Sequence, residues 1–169
     1  MWFTMPSILM MIFTSIYGVV DGLFISNYAG VTQFASVNLI WPFLAVSGSF
    51  GYMIGSGGSA LVAKVMGEGD DARANRLFTM MIRLSVVVGV VLSSVSFVLL
   101  RTVAIWLGAE GEMVEHCVRY GRIMCVGMTF FILQFVFQPF FVAAEQPKLG
   151  MWITVVAGLT NVLGDWLMV

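Results

Sequence analysis

Between Met1 and Ala63 the chain carries one charged side chain, Asp21, in a run that is otherwise uncharged and mostly apolar. No water-facing surface is built that way, because a soluble domain takes about a quarter of its residues from Asp, Glu, Lys and Arg. The length suits two membrane spans of ~20 residues each with a turn between them. An ionisable group at bilayer depth costs at least ~2.5 kcal/mol. A carboxylate kept there against that cost points to an ion or proton pathway.

The whole chain has the same character. Of its 169 residues 60% are hydrophobic and 10% charged, with a mean hydropathy of +0.98. This is the composition of an integral membrane protein. The net charge of −1 leaves no basic footprint for nucleic acid. Cys117 and Cys125 stand eight apart, a spacing that fits neither a redox pair nor a zinc knuckle, and read as small apolar packing residues. His116 is the only histidine, so no metal-ligand cluster can form around it, and it reads as a surface residue. No serine occupies a G-x-S-x-G elbow. These absences argue against an enzyme and against a bound cofactor. No basic region precedes the first apolar run, so a signal peptide is not expected, and a true start upstream of Met1 is compatible with this run.

Charged and polar segments divide the chain into five spans, over about residues 2–26, 38–63, 77–100, 117–144 and 150–169. The expected fold class is all-α, with five transmembrane helices in one unit and no second domain. The most hydrophilic stretch, 64–76, separates the second and third spans, and Asp70 and Asp71 after Gly69 look like a helix N-cap. Residues 101–115 form the next joint, and Glu145, Gln146, Pro147 and Lys148 a tight turn. Lys64, Arg73, Arg76 and Lys148, with Arg83 near them, fall on one side of the membrane, and Arg101, Arg119 and Arg122 on the other. That bias places the amino terminus in the cytoplasm and runs the odd-numbered helices outward.

The second span carries small residues at every fourth position, Ser47, Gly51, Gly55, Ser59 and Ala63, on one helical stripe. Such a stripe lets helix backbones approach closely, which drives association in lipid. Ser85, Gly89 and Ser93 make a shorter stripe on the third span. Residues 55–60, Gly-Ser-Gly-Gly-Ser-Ala, also match the dinucleotide pattern G-x-G-x-x-G/A. That motif needs a strand before it. Here it lies inside an apolar helix-length run, so a packing face is the reading. Pro6 and Pro42 fall near expected helix starts, and Pro139 should kink the fourth helix.

Three further polar features could carry chemistry. Asp21 lies roughly 28 Å along its outward-running helix and Asp165 roughly 22 Å along the fifth, both in the outer half of the bilayer. Asn161 precedes Asp165 by four residues and shares its face. An amide beside a carboxylate can hold a proton or help to coordinate sodium, whereas an aspartate at the interface could simply face water. Gln134 and Gln138 also stand four apart, beside Pro139. They could bond between helices or line a polar cavity.

The run from Tyr17 to Ile25 around Asp21, with Pro6 before it, resembles the first helix of the MATE (multidrug and toxin compound extrusion) transporters. Residues 55–60 followed by Gly67, Glu68, Gly69 and Asp70 resemble the end of that family's second helix and the loop after it. Pro147 to Gly150 and Asn161 to Asp165 resemble its fifth-helix region. The resemblance implies part of a twelve-helix antiporter of two six-helix lobes, with a substrate cavity between them. It implies export of drugs or toxins, often organic cations, from the cell, driven by protons or sodium across a multi-pass cell-membrane protein. Asp21, Asn161 and Asp165 would form the cation site, where sodium is the one metal implied. Tyr17 joins Gln134 and Gln138 as a candidate cavity residue. Against that pattern the chain lacks the sixth helix and the second lobe, and is expected to be a fragment or a truncation. The alternative is a truncated, non-transporting membrane protein with a structural or partner-binding role. Beyond the lipid bilayer, the partners implied are the missing lobe and, in the full-length protein, the exported compound.

Overall fold

The structure, a computed structural model, describes residues 4–24, 26 and 31–168. They form five helices: α1 (Thr4–Phe24), α2 (Val31–Gly67), α3 (Asp71–Trp106), α4 (Glu112–Ala143) and α5 (Pro147–Met168). No strand occurs among the described residues. α2, α3 and α4 are each long and apolar enough to cross a membrane, and Lys148–Thr160 is a shorter apolar stretch of α5.

The helices outrun the apolar spans. α2 begins at Val31 rather than near 38, α3 occupies Asp71–Trp106 rather than 77–100, and α4 begins at Glu112 rather than near 117. The hydrophilic stretch 64–76 is helical except at 68–70, and the joint 101–115 is helical except at 107–111. Charge keeps a segment out of hydrocarbon but does not stop a helix, since Lys, Arg and Glu are good helix formers. At 37 residues α2 is ~55 Å long, well beyond a ~30 Å hydrocarbon core. For the same reason Pro42 is not at a helix start but inside α2.

The ends of α2, α3 and α4 share one device. Asp70 N–H donates to the Val65 carbonyl and Gly69 N–H to Met66; Ala109 donates to Ala104 and Gly108 to Ile105; Gln146 donates to Phe141 and Glu145 to Val142. Each pair closes a Schellman motif, which needs a left-handed residue after the helix. Gly69 (φ 81°), Gly108 (φ 99°) and Glu145 (φ 57°) fill those positions. Asp70 then caps α3, its carboxylate accepting from the Arg73 N–H at 2.9 Å.

α2 and α4 run parallel at the centre. Cys117 Sγ lies 3.8 Å from the Ser36 carbonyl, Gly51 faces Ile132, and Gly55 faces Val136. The offset is 81 residues in all three pairs, so the register holds over about 30 Å of helix. α3 packs antiparallel to both. Gly58 meets Met81, Gly89 meets Thr129, and Leu100 lies on Gly121. Ile40, Leu44, Leu100, Met128, Ile132 and Val136 fill the buried core. α1 packs chiefly on α5, which follows α4 through the 144–146 turn and touches it where Phe141 covers Gly150. Val98, Val126 and Phe130, each at least 76% exposed, stand on the outer faces of α3 and α4.

Candidate functional site

The α1–α5 pair carries the candidate cation site. Asp21 stands one turn before the end of α1, and Asn161 and Asp165 stand in the last turns of α5. Measured from the observed helix starts, Asp21 and Asp165 are roughly 26 and 27 Å along two helices that pack on each other. The side chains of Tyr17, Asp21, Asn161 and Asp165 lie outside the described residues. What the fold establishes is that the backbones carrying them belong to neighbouring helices.

Next to α5 is α4. Gln134 is exposed and Gln138 half-buried. Neither amide makes a hydrogen bond among the described residues. Gln134, Gln138 and Phe141 fall on one stripe of α4, and Phe141 rests on Gly150 of α5. The glutamines therefore look toward α5 and not into the α2–α3 core. Pro139 lies between them and the helix end without interrupting α4. Having no N–H, it leaves the Phe135 carbonyl without its helical donor.

The small-residue stripe of α2 lies elsewhere. Ser47, Gly51, Gly55 and Ser59 are all buried, whereas Ala63, the last of the stripe, is exposed because α2 has by then run past the close contact with α4. A Cβ built on Gly51 would sit 2.5 Å from the Ile132 carbonyl oxygen, and one on Gly55 2.7 Å from that of Val136. Here two backbones touch, so these residues set the distance between α2 and α4. The buried hydroxyls are satisfied locally: Ser47 donates to the Phe43 carbonyl (3.2 Å), Ser59 to Ser56 (3.1 Å) and Ser85 to Met81 (2.7 Å). Ser93 reaches across and donates to the Cys125 carbonyl. Sequence reasoning missed Gly48 and Gly121. Gly48 lies under Phe131 and Phe135, and Gly121 under Leu100. A signal was present for Gly48, which lies beside the stripe, one turn before Gly51. No candidate metal cluster exists among the described residues.

This helix order and packing have counterparts among known proteins. The family model described as MatE matches residues 6–167. The chain belongs to the MatE family. Among curated relatives, the multidrug export protein MepA of Staphylococcus haemolyticus (strain JCSC1435) is 26% identical over 151 residues, covering 89% of this chain and 33% of that protein. MepA of Staphylococcus saprophyticus is 22% identical over 169 residues, covering all of this chain and 38% of the relative. Among solved structures, a MATE protein in the bent conformation superposes with a TM-score of 0.86 at 22% identity, over 95% of this chain and 36% of that one. A MATE protein in the straight conformation gives 0.85, at the same identity and coverage. The chain thus spans about a third of the length of the MatE proteins it matches, and its five helices form part of one lobe of their fold.

Proposed function

We propose that this chain supplies the amino-terminal part of a cation-coupled multidrug antiporter of the cell membrane, exporting organic, often cationic, compounds. Its amino terminus lies in the cytoplasm. Asp21, Asn161 and Asp165 bind the coupling proton or sodium ion, and Tyr17, Gln134 and Gln138 line the polar side of the cavity. One observation supports this reading: α1, which carries Asp21, packs on α5, which carries Asn161 and Asp165. The MepA relatives are multidrug export proteins, which supports the substrate class. The physics supports the coupling. Two nearby carboxylates cannot both ionise cheaply in a low dielectric, so a cation from outside settles between them. Its arrival biases the lobe toward whichever conformation holds it more tightly. Gln134 and Gln138 on α4, whose amides make no hydrogen bond among the described residues, would line the cavity.

The test uses the full-length protein that contains this chain. Asp21→Asn should abolish efflux driven by a proton or sodium gradient while leaving membrane insertion unchanged. Transport assayed under each gradient separately identifies the ion. Wild-type efflux in the variant would remove Asp21 from the coupling role.

A further inference from the structure

The α3–α4 turn end of the bundle carries three arginines that form no ion pair among the described residues. Arg101 is on α3, and Arg119 and Arg122 are on α4. All three are exposed. Leu100 lies against Gly121, and the Arg122 guanidinium stacks over the Phe97 ring at 5.5 Å. That antiparallel register brings Arg101 to the level of Arg119. Phe97 and Arg101 share a face of α3, and Arg119 and Arg122 share one of α4. Among the described residues no carboxylate lies within 4.0 Å of any of them, the one ion pair being Lys64–Glu68. Glu110, Glu112 and Glu115 stand further out, around the turn and the first turns of α4.

Two measures place these arginines at the edge of the hydrocarbon. On α3 the uncharged stretch between Arg83 and Arg101 is 17 residues, or ~26 Å. On α4 it runs 22 residues from Ile123 to Ala144, or ~33 Å. Both match a core of ~30 Å. Trp106, 83% exposed at the end of α3, belongs at the same interface. Toward the bilayer centre the Arg119–Arg122 stripe continues as Val126 and Phe130, and the Arg101 stripe as Val98, all strongly exposed.

We propose that this seam binds one anionic phospholipid of the phosphatidylglycerol type. The guanidiniums of Arg101, Arg119 and Arg122 hold its phosphate, and its acyl chains lie along Val98, Val126 and Phe130. Charge complementarity selects the headgroup. Three free cations meet the plane where phosphates lie, and a guanidinium grips a phosphate with two donors at once. Stacking on Phe97 fixes one of the three in advance, lowering the entropy lost on binding. The continuous apolar stripe below selects a lipid over a soluble phosphate.

Trp106 is a native reporter for the test. The full chain is placed in phosphatidylcholine nanodiscs containing a minor fraction of acyl-brominated lipid. Emission from Trp106 is isolated by subtracting that of Trp106→Phe. Brominated phosphatidylglycerol should quench Trp106 several-fold more than brominated phosphatidylcholine at equal fraction. Arg122→Gln should lower that preference about fivefold, the effect of one interfacial arginine. Replacing all three by Gln should remove it, and replacing all three by Lys should keep most of it. If the Gln variant fails to insert, salt decides the matter: the preference of the unaltered chain must weaken as ionic strength rises. Equal quenching by the two lipids, a preference that survives all three Gln substitutions, or one indifferent to salt would overturn the proposal.

Discussion

Gly55 and Gly57 show how little a glycine's letter says without its surroundings. Both belong to the 55–60 run that imitates a nucleotide-binding fingerprint. On the helix they face different ways: Gly55 is pressed on the Val136 backbone, while a Cβ on Gly57 would meet nothing within 4 Å. Gly51 is tighter still, and what it touches is a carbonyl oxygen that cannot swing aside. Gly51→Ala should therefore destabilise by about 2–3 kcal/mol, the range of overpacking against an unyielding neighbour. Gly57→Ala should be neutral or stabilise by up to ~1 kcal/mol, through helix propensity alone. Unfolding of the two variants in mixed micelles, followed by circular dichroism, compares them directly. Equal midpoints would disprove the backbone contact. The four-residue spacing of Ser47, Gly51, Gly55 and Ser59 was legible in the sequence. The identity of α4 as their partner was not, because small residues specify a close approach without naming what approaches.

At the level of the element, apolar length marked the spans but not the helices. The chain leaves the helical path only where it is made to. Two of the three Schellman ends have the glycine that a left-handed residue favours, and the third has Glu145 at φ 57°. An L-residue pays roughly 1–2 kcal/mol for that conformation. Glu145→Gly should accordingly stabilise the α4–α5 turn by about 1 kcal/mol, measured by the same unfolding assay. Loss of stability would mean that the Glu145 side chain makes a contact worth more than its backbone strain. The sequence signalled a turn here through Pro147, yet it could not reveal the strain, which arises from how α5 must leave α4. Asp70 was more legible: an acidic residue after Gly69 is a local capping signal, and its bond to the Arg73 N–H is equally local.

Across the whole molecule, the helices sort into a tight group, α2, α3 and α4, and a pair, α1 and α5, joined to it through α4. Antiparallel α3 sets the 68–70 and 144–146 turns at one end of the bundle and the 107–111 turn at the other. Cysteines placed at Gly69 and Gly111 should therefore react with a membrane-impermeant thiol reagent from opposite sides of the membrane. Reaction of both from the same side would contradict the arrangement. Sequence by itself determined the medium, the all-helical class and the five segments, because hydrocarbon tolerates little else than a helix with its backbone bonds closed. It also picked out Asp21, Asn161 and Asp165 as costly enough to need a reason. Only the tertiary structure decided which helices are neighbours: that α2 lies parallel to α4 at a fixed offset of 81 residues, and that α1 pairs with α5 across more than a hundred residues of chain. Lipid is as apolar as the side chains facing it, so hydropathy says that a helix is in the membrane and nothing about its partner. That choice rests on the shape of small residues meeting a particular backbone, which exists only once the helices are assembled.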